Sequence, residues 1–199
     1  MNITLDTADT FLATVAGGDL RDPAYFPEVL GEVDAPIYVT DEEGFVTYFN
    51  RACVGFSGRE PAVGKDRWCV TWKLFTADGD YLPHDQCPMA VAIKTEKLIR
   101  GVTAVAARPD GTRVKFAPFP TPLRDESGKV VGAINILLDV TDVRQVSELR
   151  AQAERCRRLR SALSDSPTRA LFEQMADEYE AKAHQIAATL GVAHGRDAR

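Results

Sequence analysis

The side chains able to do metal or covalent chemistry are few, and their spacing restricts them. Cys69, His84 and Cys87 have the right donor atoms for a metal, but only His84 and Cys87 lie close together, so the third ligand would come from a different segment. No metal site is assigned. Nucleophilic catalysis needs a cysteine or serine beside a base. The histidines are His84, His184 and His194, two of them in the tail. No catalytic residue is assigned, and the chain is not expected to be an enzyme. The run Arg155-Cys156-Arg157-Arg158-Leu159-Arg160 could contact an anion. A solvated helix face is the simpler reading, with Glu154, Asp177, Glu178 and Glu180 as ion-pair partners.

Positioning these residues requires one ordinary core. The chain has 199 residues, 45% hydrophobic and 27% charged, enough for a single domain with a helical appendage. Its net charge of -5 is unevenly placed: residues 1–142 carry 14 basic and 21 acidic side chains, residues 143–199 carry 10 and 8. An acidic front repels phosphate backbones and anionic lipid, so neither nucleic acid nor a membrane is the expected partner. The start, MNITLDTADTF, lacks a basic region followed by an apolar run, and no run of 18 apolar residues occurs. Cys53, Cys69, Cys87 and Cys156 form no CxxC pair and read as thiols. The cytoplasm is the expected compartment.

Residues 1–23 hold a short apolar run, Phe11, Leu12 and Val15, stopped by Gly17-Gly18 and Asp22-Pro23: a brief helix and a linker. Next, IYVTDEEGFVTYFNRA reads as two strands around the turn Asp41-Glu42-Glu43-Gly44. A helical crossover follows, with a helix from about Asp85 through Ile93 and Asp85 as its N-cap. Three further extended runs, LIRGVTAVAA, TRVKFAPF and VVGAINILLDV, are joined by the turns Arg108–Gly111 and Asp125–Gly128. Two strands, a helical crossover and three strands imply an α+β fold: a five-stranded antiparallel sheet with helices on one face. A cavity between them is the expected consequence.

After Val140, the residues Val146, Leu149, Ala153, Cys156 and Leu163 fall at alternating spacings of three and four, with Arg160 interrupting the series, an apolar seam on a helix. Ser166 and Pro167 start a second helix, and Phe172, Met175, Tyr179, Ala183, Ile186 and Leu190 continue the pattern. The seam closes a helical hairpin, builds a coiled-coil-like homodimer, or both.

The segments APIYVTDEEGFVTYFNRA, LPHDQCPMAVAIKTE, RPDGTR, FAPFPTPLRDESGKVVGAINILLDVTD and the exit Asp139-Val140-Thr141-Asp142 together resemble a PAS domain. They are similar to PAS domains that sit ahead of bacterial sensor histidine kinases. The resemblance implies a flank over 1–23, a PAS domain over 24–143, a two-helix extension over 144–190 and a disordered tail over 191–199. It also implies an interior pocket, with Tyr48, Asn50, Trp68, Trp72, Met89, Phe116 and Asn135 as candidate lining residues. His84 lies near where haem-binding relatives place an axial ligand. Light-sensing relatives carry a cysteine in an N-C-R-F-L motif; here Cys53 follows Asn50-Arg51-Ala52 and Cys69 follows Arg67-Trp68, so flavin is not expected.

The implied function is a non-catalytic signal sensor. A small-molecule, redox or partner input to the PAS interior would alter protein–protein contacts made by the C-terminal helices. The alternative is a ligand-free adaptor that binds a histidine kinase or another signalling protein.

Overall fold

A computed structural model describes residues 3, 5, 7–19, 24–161 and 166–193. The chain forms two compact units, Met1–Asp139 and Val140–Arg199. The first contains α1 (Ala8–Ala16), α2 (Tyr25–Leu30), β1 (Ile37–Asp41), β2 (Val46–Phe49), α3 (Ala52–Ser57), β3 (Lys73–Thr76) and β4 (Tyr81–Leu82). A single 3-10 turn at His84–Gln86 leads to α4 (Pro88–Thr95), β5 (Ala104–Ala107), β6 (Arg113–Pro118), β7 (Thr121–Arg124) and β8 (Val130–Asp139). The second unit holds α5 (Thr141–Ser161) and α6 (Ser166–Ala193).

The strands run in the order β2-β1-β8-β6-β5-β3-β4, antiparallel throughout, with β7 paired to β8 beside β6. The expected five strands are all present. Three more appear, β3, β4 and β7: unlike the equally short β2 and β5 they stand in no longer extended run, and β7 contains Pro122. The turns follow local chemistry. Asp41 Oδ1 accepts the amides of Glu43 and Phe45, Asp110 Oδ1 that of Thr112, and Asp125 Oδ1 those of Ser127 and Lys129.

Period-two alternation sends Tyr38, Leu74, Ala104, Ala106, Val114, Phe116, Ala133 and Leu137 to one core, shared with Cys53 and Phe56 of α3 and Met89, Ala90 and Ile93 of α4. The intervening Ile134 and Ile136 of β8 are also fully buried. Covered on both sides, β8 reads as a nearly unbroken apolar run.

The N-terminal flank is more than a brief helix and a linker. α1 buries Ala8, Leu12 and Val15 and packs on β7 and β8. Arg100 Nε meets Asp9 at 2.6 Å while its Nη1 donates to the Pro120 carbonyl, and the Tyr25 hydroxyl donates to the Val15 carbonyl at 2.8 Å. The expected break at Asp22-Pro23 lies outside the described residues. Asp85 is not the N-cap of the crossover helix: it lies in the 3-10 turn, and α4 begins at Pro88 with Cys87 as N-cap. Pro88 decides this, since its fixed φ suits the first helical position and its missing N–H costs nothing there.

In the second unit α5 and α6 pack together. Val146 and Leu149 meet Ala183, flanked by Tyr179 and Ile186, and Ala153, Cys156 and Ala176 are buried. The seam therefore closes a hairpin within one chain. Leu163 and residues 194–199 lie outside the described residues, as does the side chain of Leu190. The arginine run faces outward in part: Arg157 pairs with Glu180 at 3.3 Å and Glu154 at 3.6 Å, and Arg160 pairs with Glu173, which was not among the expected partners.

Candidate functional site

The interior between the sheet and α3–α4 is organised around Tyr38, which alternation on β1 turns inward and burial encloses completely. Its hydroxyl donates to the Trp68 carbonyl at 3.0 Å and accepts from Asn135 Nδ2 at 3.1 Å. Asn135 Oδ1 accepts the Phe119 amide at 2.9 Å. Loss of hydration raises the hydroxyl well above the usual tyrosine range, so Tyr38 stays a neutral donor.

Three thiols share this core. Burial raises Cys53 and Cys69 and pushes Cys87 up to about 12. Thiols so held are poor nucleophiles, because reaction requires the thiolate. Each has a polar contact: Cys53 Sγ with the Ile37 carbonyl at 3.2 Å, Cys69 Sγ with Thr71 Oγ1 at 3.2 Å, and Cys87 Sγ with the Trp68 carbonyl at 3.7 Å.

Of the residues the sequence proposed as lining, the structure brings together Trp68, Met89, Phe116 and Asn135 around Tyr38. Phe116 packs edge-on against Phe56 at 5.3 Å. Asn50 is elsewhere: its Oδ1 accepts the Ile37 amide at 3.0 Å and its Nδ2 donates to the carbonyls of Val33 and Ala35. It ties the end of β2 to the segment entering β1. Tyr48 is half-buried and stacks on Phe26. Trp72 is 46% exposed, with the Lys73 ammonium 4.5 Å over its ring. Tyr38, missed in the sequence, was visible in principle as the inward-parity aromatic of IYVTD.

His84 lies in the 3-10 turn before α4, with Nε2 buried and without a hydrogen-bond partner among the described residues. Burial first, and the Arg59 guanidinium second, lower its pKa; Asp66 and Asp85 oppose this more weakly. Arg59 itself pairs with Asp66 at 2.7 Å. Among the described residues, no group of three His, Cys, Asp or Glu side chains is placed to hold a metal. Nor is any helix there long and apolar enough to cross a membrane.

A family model described as PAS fold matches residues 30–145, and the chain belongs to this family of sensory domains. No curated protein sequence matches. Solved structures similar to the chain include an RNA-binding Light-Oxygen-Voltage receptor, 20% identical over 83% of this chain with a TM-score of 0.44. The chain spans only 40% of that receptor's length. Also similar is the LOV domain of the Erythrobacter litoralis EL346 blue-light activated histidine kinase, 22% identical over 53% of this chain and 94% of that domain, TM-score 0.40. A third is a LOV domain studied with a flavin analogue, 14% identical over 69% of this chain and 99% of that one, TM-score 0.45.

The expectation that flavin is unlikely does not stand: the similar structures include LOV domains, one of them studied with a flavin analogue. The physical reason is that the cysteine motif tests for a covalent photoadduct, whereas binding a flavin ring depends on the chamber around it.

Proposed function

We propose that the chain is a signal-relaying PAS protein, with residues 24–143 as the receiving domain and 144–190 as the output helices. Input reaches the interior around Tyr38, Trp68, Met89, Phe116 and Asn135, or arrives as a partner protein. Output is a change in the contacts made by the hairpin whose seam includes Val146, Leu149, Ala153 and Cys156. Those contacts are with a second copy or with another signalling protein such as a histidine kinase. The observation that carries this reading is the placement of β8. It pairs with β1, β6 and β7, places Asn135 in the interior, ends at Asp139 and enters α5 at Thr141 after a single residue. Whatever shifts β8 acts on the first turn of α5.

A second reading, a ligand-free adaptor, is favoured by the interior hydrogen bonds. The polar atoms of Tyr38 and both polar groups of Asn135 already have partners within the chain. Such a core rewards the closed state, because displacing a satisfied buried group leaves its partner unpaired.

Native mass spectrometry of the freshly purified protein separates the two. A stoichiometric mass excess released on denaturation supports a ligand-receiving interior. A bare mass, with partner-dependent assembly, supports the adaptor.

A further inference from the structure

Trp68 is buried and has φ of 70°, in the left-handed region that bulky side chains avoid. Such a conformation persists only where its surroundings hold it, and Trp68 is held on three sides. Its amide donates to the Gly44 carbonyl at 2.7 Å, across the bridge pairing Phe45 with Arg67. Its ring lies on Gly44, where an added Cβ would sit 2.2 Å from a ring carbon. The Arg67 guanidinium covers both the Phe45 and Trp68 rings, about 5 Å from each centroid. On the inward side, the Trp68 carbonyl accepts the Tyr38 hydroxyl and, at longer range, the Cys87 thiol.

The inward bond links Trp68 to the sheet. Tyr38 lies on β1 opposite Asn135 of β8, and the Asn135 side-chain amide donates to the same hydroxyl that donates to Trp68. Rotating residue 68 to negative φ would turn its carbonyl away from Tyr38. It would also lift the ring from Gly44 and leave the Tyr38 hydroxyl with Asn135 alone.

We propose that Trp68 is a two-state latch, held in its left-handed backbone by the Tyr38 hydroxyl and released by any input that withdraws that hydrogen bond. The closed state is the one described here. In the open state residue 68 adopts an ordinary backbone conformation, the indole leaves Gly44, and the Tyr38 hydroxyl that Asn135 donates to is no longer anchored on Trp68. Delivery of this change to α5 rests on the function proposed above; the latch itself does not.

The test uses Tyr38→Phe in a Trp72→Phe background, where Trp68 is the sole tryptophan. Exchange of the Trp68 amide should quicken about tenfold, the scale expected from losing one buried hydrogen bond. Trp68 emission should shift to the red, and Tyr48→Phe should alter neither. Exchange within twofold of the parent in a folded Tyr38→Phe chain overturns the latch. Should Tyr38→Phe not fold, the Trp72→Phe parent decides: the backbone amide and the indole of Trp68, which leave Gly44 in one step, should show relaxation dispersion with a single exchange rate. Rates differing by more than about tenfold mean that the two groups move separately, and overturn the proposal. A latch that opens as described while α5 and α6 exchange unchanged contradicts only the relay.

Discussion

The first unit, Met1–Asp139, and the helical hairpin solve the same burial problem with different chemistry. In the first, Asn50, Tyr38 and Asn135 are buried polar groups that together make six hydrogen bonds shorter than 3.2 Å, each specific in donor and acceptor. In the second, the contact is an apolar seam of small and branched side chains, Val146, Leu149, Ala153, Ala176 and Ala183, flanked by exposed ion pairs. A polar core allows only discrete arrangements, because each displaced bond leaves an unsatisfied group. An apolar seam tolerates sliding and exchange of partner helices. Under the function proposed above, the difference suits a receiving domain with discrete states joined to an adaptable output.

The largest expected effect tests the polar side of that contrast. Asn50→Ala strips the Ile37 amide of its side-chain acceptor and removes the donor to Val33 and Ala35. It should lower stability by about 3 kcal/mol in urea unfolding, whereas a loss below about 1 kcal/mol would mean that water replaces the amide. Leu149→Ala should be milder. It removes apolar contact with α6 and should cost about 2 kcal/mol, the low end for a buried Leu→Ala change, read as lost helicity; no change in helicity would remove Leu149 from the seam.

A smaller effect comes from pH. His84 has a lowered pKa in the folded chain, so the unfolded state binds more protons as the pH drops through the ordinary histidine range near 6.5. Stability should therefore fall from pH 7 toward pH 5, and His84→Gln should flatten that slope. A slope unchanged by the substitution would assign it to other groups. Smallest of all, Arg157→Ala breaks exposed pairs with Glu180 and Glu154 and should cost no more than about 0.5 kcal/mol, diminishing further in high salt. A larger, salt-insensitive loss would indicate that the arginine stem packs on the seam.

What was legible in the sequence follows from the range of the signals. The turns Asp41–Gly44, Arg108–Gly111 and Asp125–Gly128 depend on an aspartate and a glycine a few residues apart, so they could be read directly. β8 announced itself by ten residues of near-continuous apolar character. The strands β3, β4 and β7 did not, because, unlike β2 and β5, they lie outside any longer extended run and two to four residues alone contain too little pattern. In the site, Asn135 was recognisable as an inward polar residue on a strand. Asn50 looked the same, yet its partners are backbone groups on the segment entering β1, which polarity alone does not reveal. The left-handed Trp68 carried no local signal at all, since its conformation is imposed by Gly44 and Tyr38, 24 and 30 residues away.

The claim that matters most is that the interior and the output helices communicate through β8. Hydrogen-exchange mass spectrometry on the full chain, comparing Asn135→Ala with the parent, addresses it directly. The account predicts altered exchange in both the β8 peptides and the first turns of α5. Altered exchange in β8 with α5 and α6 unchanged would contradict it.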